Sequence, residues 1–435
     1  MCVVDPTRDV DIYLETAIKE GYTITDIVET HVHADFVSGA PELKHRLEGK
    51  PLIHCSALGG KEWIPLYADK EAHEGHEVKL GKIRLRARHT PGHTPEHVCW
   101  ELFDDGRSSE EPWLLFTGDF LFIGSIGRPD LLGKKEQESL AHQLYNSAFQ
   151  VLPTLPDFTE VYPAHGAGSL CGKAIGSRTA STVGYERHYS PVLQEKPEKE
   201  WVEALMNEMP KAPPYFSLMK KINVKGAPLL GAARPPLKAL TELDPSATLL
   251  DVRGERDFAA AHIPGSMNIP YGSMISSWAG WLVSYEKPII LVLEREDQAK
   301  EVVTQLQRIG LDRILGFVEG GIDGWLKRGG PINSYPVIDV QHLAAALRGK
   351  KIALLDVRSD EEYHAGHIEN SLHVQGGQLP VKLHELPKDR EIVTVCGMGF
   401  RAAIAAAYLQ SQGFKQITYL DGGMQAWRAA GYPIA

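Results

Sequence analysis

Glu29 to Ala40 reads ETHVHADFVSGA. It follows the apolar, strand-like run ITDIV and sets His31 and His33 two residues apart, so both imidazoles leave a strand end into a common space. Asp35 stands two residues further on, and Phe36 follows it. Three later segments repeat the plan: HTPGHTPEH carries His93 on a Gly/Pro turn, LLFTGDFLF carries Asp119 after a strand, and VYPAHGAG carries His165. In each, a metal-ligand type follows an apolar strand and lies in a Gly- or Pro-bearing loop. Sheet proteins of the α/β class assemble sites at such strand ends. A lone histidine in such a loop reads as a surface residue, but four such motifs in order read as a ligand set. His73 and His76 in EAHEGHEV have no strand before them and are read as surface residues.

A chain of 435 residues exceeds one compact core of ordinary size, so several domains are expected. The sequence is 43% hydrophobic and 23% charged with a formal charge of -10, which gives no reason to expect nucleic acid or anionic membranes as partners and favours small molecules. No apolar run approaches the roughly 20 residues that span a bilayer, and MCVVDPTRDV lacks a basic stretch before an apolar core, so a cytoplasmic protein is expected. Cys2, Cys55, Cys99, Cys171 and Cys396 are few, scattered and odd in number, which argues against a disulfide framework.

Residues 1–190 alternate strand-like and helical segments and read as one α/β domain. From 191 to 240 the prolines and glycines of SPVLQEKPEKEW and GAPLLGAARPPLKAL suggest a linker that crosses between domains and can pack on a neighbour. Beyond it the chain repeats itself. LLDVRGERDFAAAHIPGSMNI from Leu249 matches LLDVRSDEEYHAGHIENSLHV from Leu354, and VEGGIDGWLKRGGPI from Val318 matches LDGGMQAWRAAGYPI from Leu420. Each copy alternates apolar strands with helices, so two small parallel α/β domains are expected, over 241–334 and 335–435.

THVHAD, TPGHTPEH, FTGDFLFIGSIGRPDL and YPAHG resemble the motifs of the metallo-β-lactamase superfamily and, within it, of the persulfide dioxygenases. The resemblance implies an αββα sandwich and one ferrous iron per chain held by His31, His93 and Asp119. Two imidazoles and a carboxylate form a facial triad with open positions, the arrangement of non-haem iron oxygenases; zinc can occupy the same ligands. Binuclear zinc hydrolases such as glyoxalase II need a second cation on the positions here filled by Asp35, Phe36, Asp119 and His165. Phenylalanine offers no lone pair, so a single metal is expected, with His33, Asp35 and His165 around it. Ser125 replaces a family aspartate beside Arg128 and Asp130, and Arg128 is expected to anchor a substrate carboxylate or the loop. Relatives also carry a further stretch before CVVDP that forms the first hairpin, so either the start of the chain is misassigned or the sandwich lacks that edge.

In the last repeat IVTV runs into Cys396, Gly397, Met398, Gly399, Phe400 and Arg401 and then a small-residue helix. Backbone N–H groups, the helix dipole and Arg401 there favour a thiolate and a persulfide. With LLDVR and LDGGMQAW this resembles the rhodanese family. The C-x4-R spacing is tighter than the C-x5-R of cysteine phosphatases and suits a single transferable sulfur. The gapless repeat alignment puts Leu293 opposite Cys396 and Glu294 and Glu296 opposite its glycines, so the middle domain is expected to be inactive. Cys171, six residues after His165, is a candidate sulfur relay or, equally, an inert loop thiol.

The expected activity is therefore oxidation of a low-molecular-weight thiol persulfide by dioxygen to sulfite, followed by rhodanese transfer of sulfur to sulfite, giving thiosulfate. The carrier thiol is left open, and a homo-oligomer is expected. The alternatives are a zinc thioester hydrolase of the glyoxalase II kind and a degenerate sulfur-carrier or scaffold protein.

Overall fold

The computed structural model describes all residues except 174, 208, 210, 232–235, 350 and 351, and the side chain at 134. Met1–Arg234 with Arg308–Gly310 form one compact unit, and Pro235–Gln307 with Leu311–Ala435 form another.

In the first unit, strands Cys2–Val4, Asp26–Val28, Leu52–Ser56 and Lys70–Ala72 pair in parallel in that order, with Cys2–Val4 at the edge. A second, mixed sheet has the order Ser181–Thr182, Glu160–Pro163, Leu114–Gly118, Val98–Asp104, Ile83–His89, Glu77–Leu80. The two-residue period of the strands divides their side chains between layers. Val98 and Trp100 point between the sheets, onto Val28, Ala72 and Leu85. Cys99, between them in sequence, points the other way, into the core with Leu115, Val161 and Leu144 of the helix Lys134–Asn146. On the far side, Ile27 and Ile53 meet Ala17 and Leu43 of the helices Asp11–Glu20 and Ala40–Arg46. The result is the expected helix–sheet–sheet–helix sandwich.

The stretch 191–240 was expected to be a linker, and its positions 208, 210 and 232–235 lie outside the described residues. The rest contains the helices Glu198–Asn207 and Phe216–Lys225. Trp201, Val202 and Leu205 join the core of the first unit. The prolines did not prevent this because they precede the helices: Pro197 directly before Glu198 accepts from the Trp201 N–H, and Pro213 accepts from the Phe216 N–H in the turn leading into the second helix, places where a missing N–H costs nothing.

The second unit contains two five-stranded parallel sheets of identical order. The first runs Ala239–Leu240, Ile314–Val318, Ile289–Val292, Thr248–Asp251, Met267–Asn268, and the second Val337–Ile338, Ile417–Leu420, Glu391–Val395, Ile352–Asp356, Leu372–His373. The Asp-Val-Arg that each repeat places at a strand end is structural: Arg253 pairs with Asp251 and donates to the Ala261 carbonyl, and Arg358 pairs with Asp356 and donates to the Gly366 carbonyl. Among the described residues no helix is long and apolar enough to cross a membrane.

Candidate metal centre and sulfur-transfer site

Each of the histidine and aspartate motifs lies in the loop after a strand of the sandwich. His31, His33 and Asp35 follow Asp26–Val28, His93 follows Ile83–His89, Asp119 follows Leu114–Gly118 and His165 follows Glu160–Pro163. Donor atoms of His31, His93 and Asp119 lie within 4.8 Å of one another. His93 Nε2 is 3.3 Å and His31 Nε2 3.9 Å from Asp119 Oδ2. The other ring nitrogens are occupied: His31 Nδ1 is 2.8 Å from the Thr30 hydroxyl, and His93 Nδ1 is 3.0 Å from the Arg128 carbonyl. That fixes both rings with Nε2 facing inward, as ligand-orienting contacts do.

Buried polar atoms are normally hydrogen-bonded. Here His31 Nε2, His93 Nε2 and both Asp119 oxygens are buried and have no such partner. Burial, then the neighbouring imidazoles, push the pKa of His31 well down, and burial lowers that of His93. Burial opposes the Asp119 charge, but His165 and His93 outweigh it and lower its pKa. Two neutral imidazoles and a carboxylate converging on one point fit a bound cation.

His33 is turned away from this point. Its Nε2 lies 3.2 Å from Asp5 and 3.3 Å from Glu29, and its ring packs on Phe36 in a tilted arrangement with centroids 4.2 Å apart. Burial opposes its charge, but Asp5 and Glu29 prevail and hold its pKa well up. Beyond Asp119, His165 Nε2 is 3.3 Å from both Asp35 Oδ2 and Asp119 Oδ1. A cavity of about 650 Å³ shares the ligand loops: its walls include Val32, Ala34, Thr94, Trp63, Leu131 and Lys220.

In the last repeat, Cys396 lies between the strand Glu391–Val395 and the helix Phe400–Ser411. Its Sγ accepts from the Gly399 N–H at 3.1 Å. Gly399 has φ 110°, open to glycine and strained for other residues, which is how that N–H turns toward the sulfur. The second repeat motif locks the loop from behind. Met424 and Gln425 donate to the Cys396 and Gly397 carbonyls, and a Cβ on Gly423 would sit 2.3 Å from the Cys396 oxygen. Met398 is exposed at the loop tip. Arg401 is clamped by Glu362, with Nη1 and Nη2 each 2.6 Å from a carboxylate oxygen.

A protein-family model described as the metallo-beta-lactamase superfamily matches residues 3–165, and one described as the rhodanese-like domain matches 236–328 and 339–430. A crystal structure titled metallo-beta-lactamase from Staphylococcus aureus subsp. aureus COL is 33% identical, covers 73% of this chain and 90% of its own, and superposes with a TM-score of 0.66. The chain belongs to the metallo-beta-lactamase superfamily and carries two rhodanese-like domains behind that fold. Persulfide dioxygenase ETHE1, mitochondrial, of Mus musculus is 34% identical over 191 residues, 42% of this chain and 65% of the relative. The chain thus spans somewhat less than two thirds of that relative's length. The putative sulfurtransferase YtwF of Bacillus subtilis is 39% identical over 94 residues, 20% of this chain and 90% of the relative.

Arg128 was expected to anchor a substrate carboxylate or the loop, and it anchors the loop. Fully buried, it forks onto Asp130 at 2.7 and 2.8 Å and donates to the Leu170 carbonyl at 2.9 Å, so its guanidinium faces protein. Cys171 is also fully buried, and burial with the Asp35 and Asp119 charges pushes its thiol pKa well up, the opposite of what a sulfur acceptor requires. Cys55 and Cys99 are buried in the cores, and Cys2 is partly covered.

The sequence reading missed two residues. Asn223 lies on the helix Phe216–Lys225, where the reading placed a linker. Its amide donates to the His33 and Phe36 carbonyls at 2.7 and 2.8 Å and accepts from the Ser38 N–H at 2.9 Å. Asn223→Leu strands three backbone groups at a cost of about 1–3 kcal/mol each. We expect a lower melting temperature and faster loss of metal to a chelator.

Glu362, the other, was findable as the fourth residue of the capping box Ser359–Glu362. Burial opposes its charge, but Arg401 overrides this and brings its pKa down to about 2 from 4.5. A carboxylate depressed in the fold gives stability that is full above the unfolded value and lost as pH falls through the folded one. Rhodanese-domain stability should therefore fall between about pH 4.5 and 2, and Glu362→Gln should flatten that dependence in denaturant titrations.

Proposed function

We propose that the protein is an iron-dependent persulfide dioxygenase coupled to a sulfurtransferase: it oxidises a low-molecular-weight thiol persulfide to sulfite and then converts sulfite to thiosulfate. The observation that carries the reading is the inward-facing set of His31, His93 and Asp119, a facial triad of two imidazoles and one carboxylate whose metal-facing atoms are otherwise unpartnered. Iron held there supplies the redox chemistry by which dioxygen oxidises the outer sulfur. Thr30 and the Arg128 carbonyl hold the two imidazoles in register. The cavity beside the ligand loops has a volume within the usual range for small-ligand sites and fits the carrier thiol's body.

The atoms balance in two steps. Persulfide, dioxygen and water give thiol, sulfite and two protons. Cys396 then takes the outer sulfur of a second persulfide, releasing its thiol, and passes that sulfur to sulfite. The Gly399 N–H and Arg401 hold the sulfur's negative charge during transfer. The middle domain has no such cradle: Leu293 is 3% exposed, and Gln298 occupies the place of Arg401.

Anaerobic purification followed by metal analysis tests the reading. One iron per chain is expected; two tightly bound irons, or zinc with thioester hydrolysis and no oxygen uptake, would favour the hydrolase.

A further inference from the structure

We propose that the middle repeat serves the Cys396 site of the last repeat through Arg256, a positioning residue that masks the charge of Asp421 beside the sulfur-carrying loop and so admits anionic sulfite. The proposal rests on the reading of Cys396 as the sulfur carrier and goes beyond it by giving the middle repeat a part in the transfer. Asp421 precedes Gly422 and Gly423, and the chain then continues into the Met424 and Gln425 N–H groups that hold the Cys396 loop. A Cβ built on Gly399 would stand 3.7 Å from Asp421 Oδ1, and it is the Gly399 N–H from which the Cys396 sulfur accepts. A carboxylate is therefore a close neighbour of the sulfur. Left alone, it repels both a persulfide on Cys396 and an incoming dianion. Arg401 already shares its charge with Glu362, which takes both terminal nitrogens.

The two repeats answer this acid differently. Asp421 corresponds to Glu319 of the middle repeat, where Arg328 of that same repeat takes it, with Nη1 3.5 Å from Oε2 and Nη2 3.0 Å from the Glu319 carbonyl. The residue of the last repeat that corresponds to Arg328 is Ala430. The cation comes instead from the other repeat: Arg256 Nη2 lies 2.6 Å from Asp421 Oδ2. Arg256 stands where the last repeat has Glu361. It lies in the first turn of the helix Glu255–Ala260, where a cation opposes the helix dipole, so its own helix gains nothing from it.

The junction that brings Arg256 there is closely packed. Trp278 and Trp281 of the helix Ile275–Leu282 close on the last repeat at Gly376 and Gly377, where a Cβ would stand 3.2 Å and 2.4 Å from the two indole rings. The Arg256 side chain stays 72% exposed and can meet an anion from solvent. The transfer step takes nothing else from it. The sulfite lone pair attacks the outer sulfur of the Cys396 persulfide, the S–S bond breaks and Cys396 leaves as a thiolate, with no outside proton or electron. Donor and acceptor are both anions, so the local field sets how often they meet.

The test uses the full chain and two alkylating reagents, anionic iodoacetate and neutral iodoacetamide, with Cys396→Ser as the blank. Their rate ratio at Cys396 reads the charge beside the sulfur, whereas a loosened loop alters both rates together. In Arg256→Gln the ratio of iodoacetate to iodoacetamide should fall about two- to fivefold at low salt, and the difference should fade near about 1 M salt. Adding Asp421→Asn to that variant should restore the ratio, since the uncovered acid is then gone. The KM for sulfite should rise by a similar factor in Arg256→Gln, with the rate at saturating sulfite kept. A ratio unchanged in Arg256→Gln, even with both reagents slowed, or a ratio that Asp421→Asn fails to restore, overturns the proposal. The expected ratios together with no thiosulfate from sulfite would refute the proposed function and leave the charge masking by Arg256 standing.

Discussion

Cys396→Ser is expected to stop enzymatic thiosulfate formation while oxygen uptake with a persulfide continues and sulfite accumulates. The serine hydroxyl is nearly isosteric with the thiol and can keep the Gly399 N–H contact, so the loop stays in place. It cannot carry a transferable sulfur. The rest of the chain offers no evident replacement, since Leu293 stands at the same position of the middle repeat and Cys171 is buried between carboxylates. The variant should consume one persulfide per dioxygen where the parent consumes two. Thiosulfate produced by the variant at the parent's rate would place the nucleophile elsewhere.

The second large effect concerns the metal. His93→Ala removes one of three ligands from a fully buried site, and we expect iron affinity to fall by on the order of 100-fold or more, given that weaker, outer contacts already account for about 10–100-fold. Oxygen uptake should fall with the iron. Sulfur transfer from persulfide to added sulfite should persist, because Cys396 lies in the other compact unit. Parallel loss of both activities would indicate a folding defect; unchanged iron would remove His93 from the ligand set.

Periodicity and motif order carried most of the architecture. The strand-end histidines and Asp119 were legible because each motif joins an apolar run to a Gly/Pro turn, and such local patterns survive in sequence. The two repeats were legible for the same reason, and their sheets have the same strand order. What escaped was contact between distant segments. Asn223 reaches the His33 carbonyl across 190 positions, and no local pattern marks it. Arg128 could be read as a substrate anchor because the Leu170 carbonyl that absorbs it lies 42 positions away. The stretch from 191 resembled a linker because proline counts do not say whether a proline opens a helix or breaks one. Cys171 joins Asp35 and His165 only through the fold, although its closeness to His165 in sequence was a hint.

The most direct test of the coupled activity is an oxygen-electrode trace of the anaerobically purified protein given a thiol persulfide, with sulfur products measured at the end. The account predicts iron-dependent oxygen uptake, two persulfides consumed per dioxygen, and thiosulfate as the product. An iron-loaded protein that takes up no oxygen with glutathione or coenzyme A persulfide, yet hydrolyses a glutathione thioester, would contradict it.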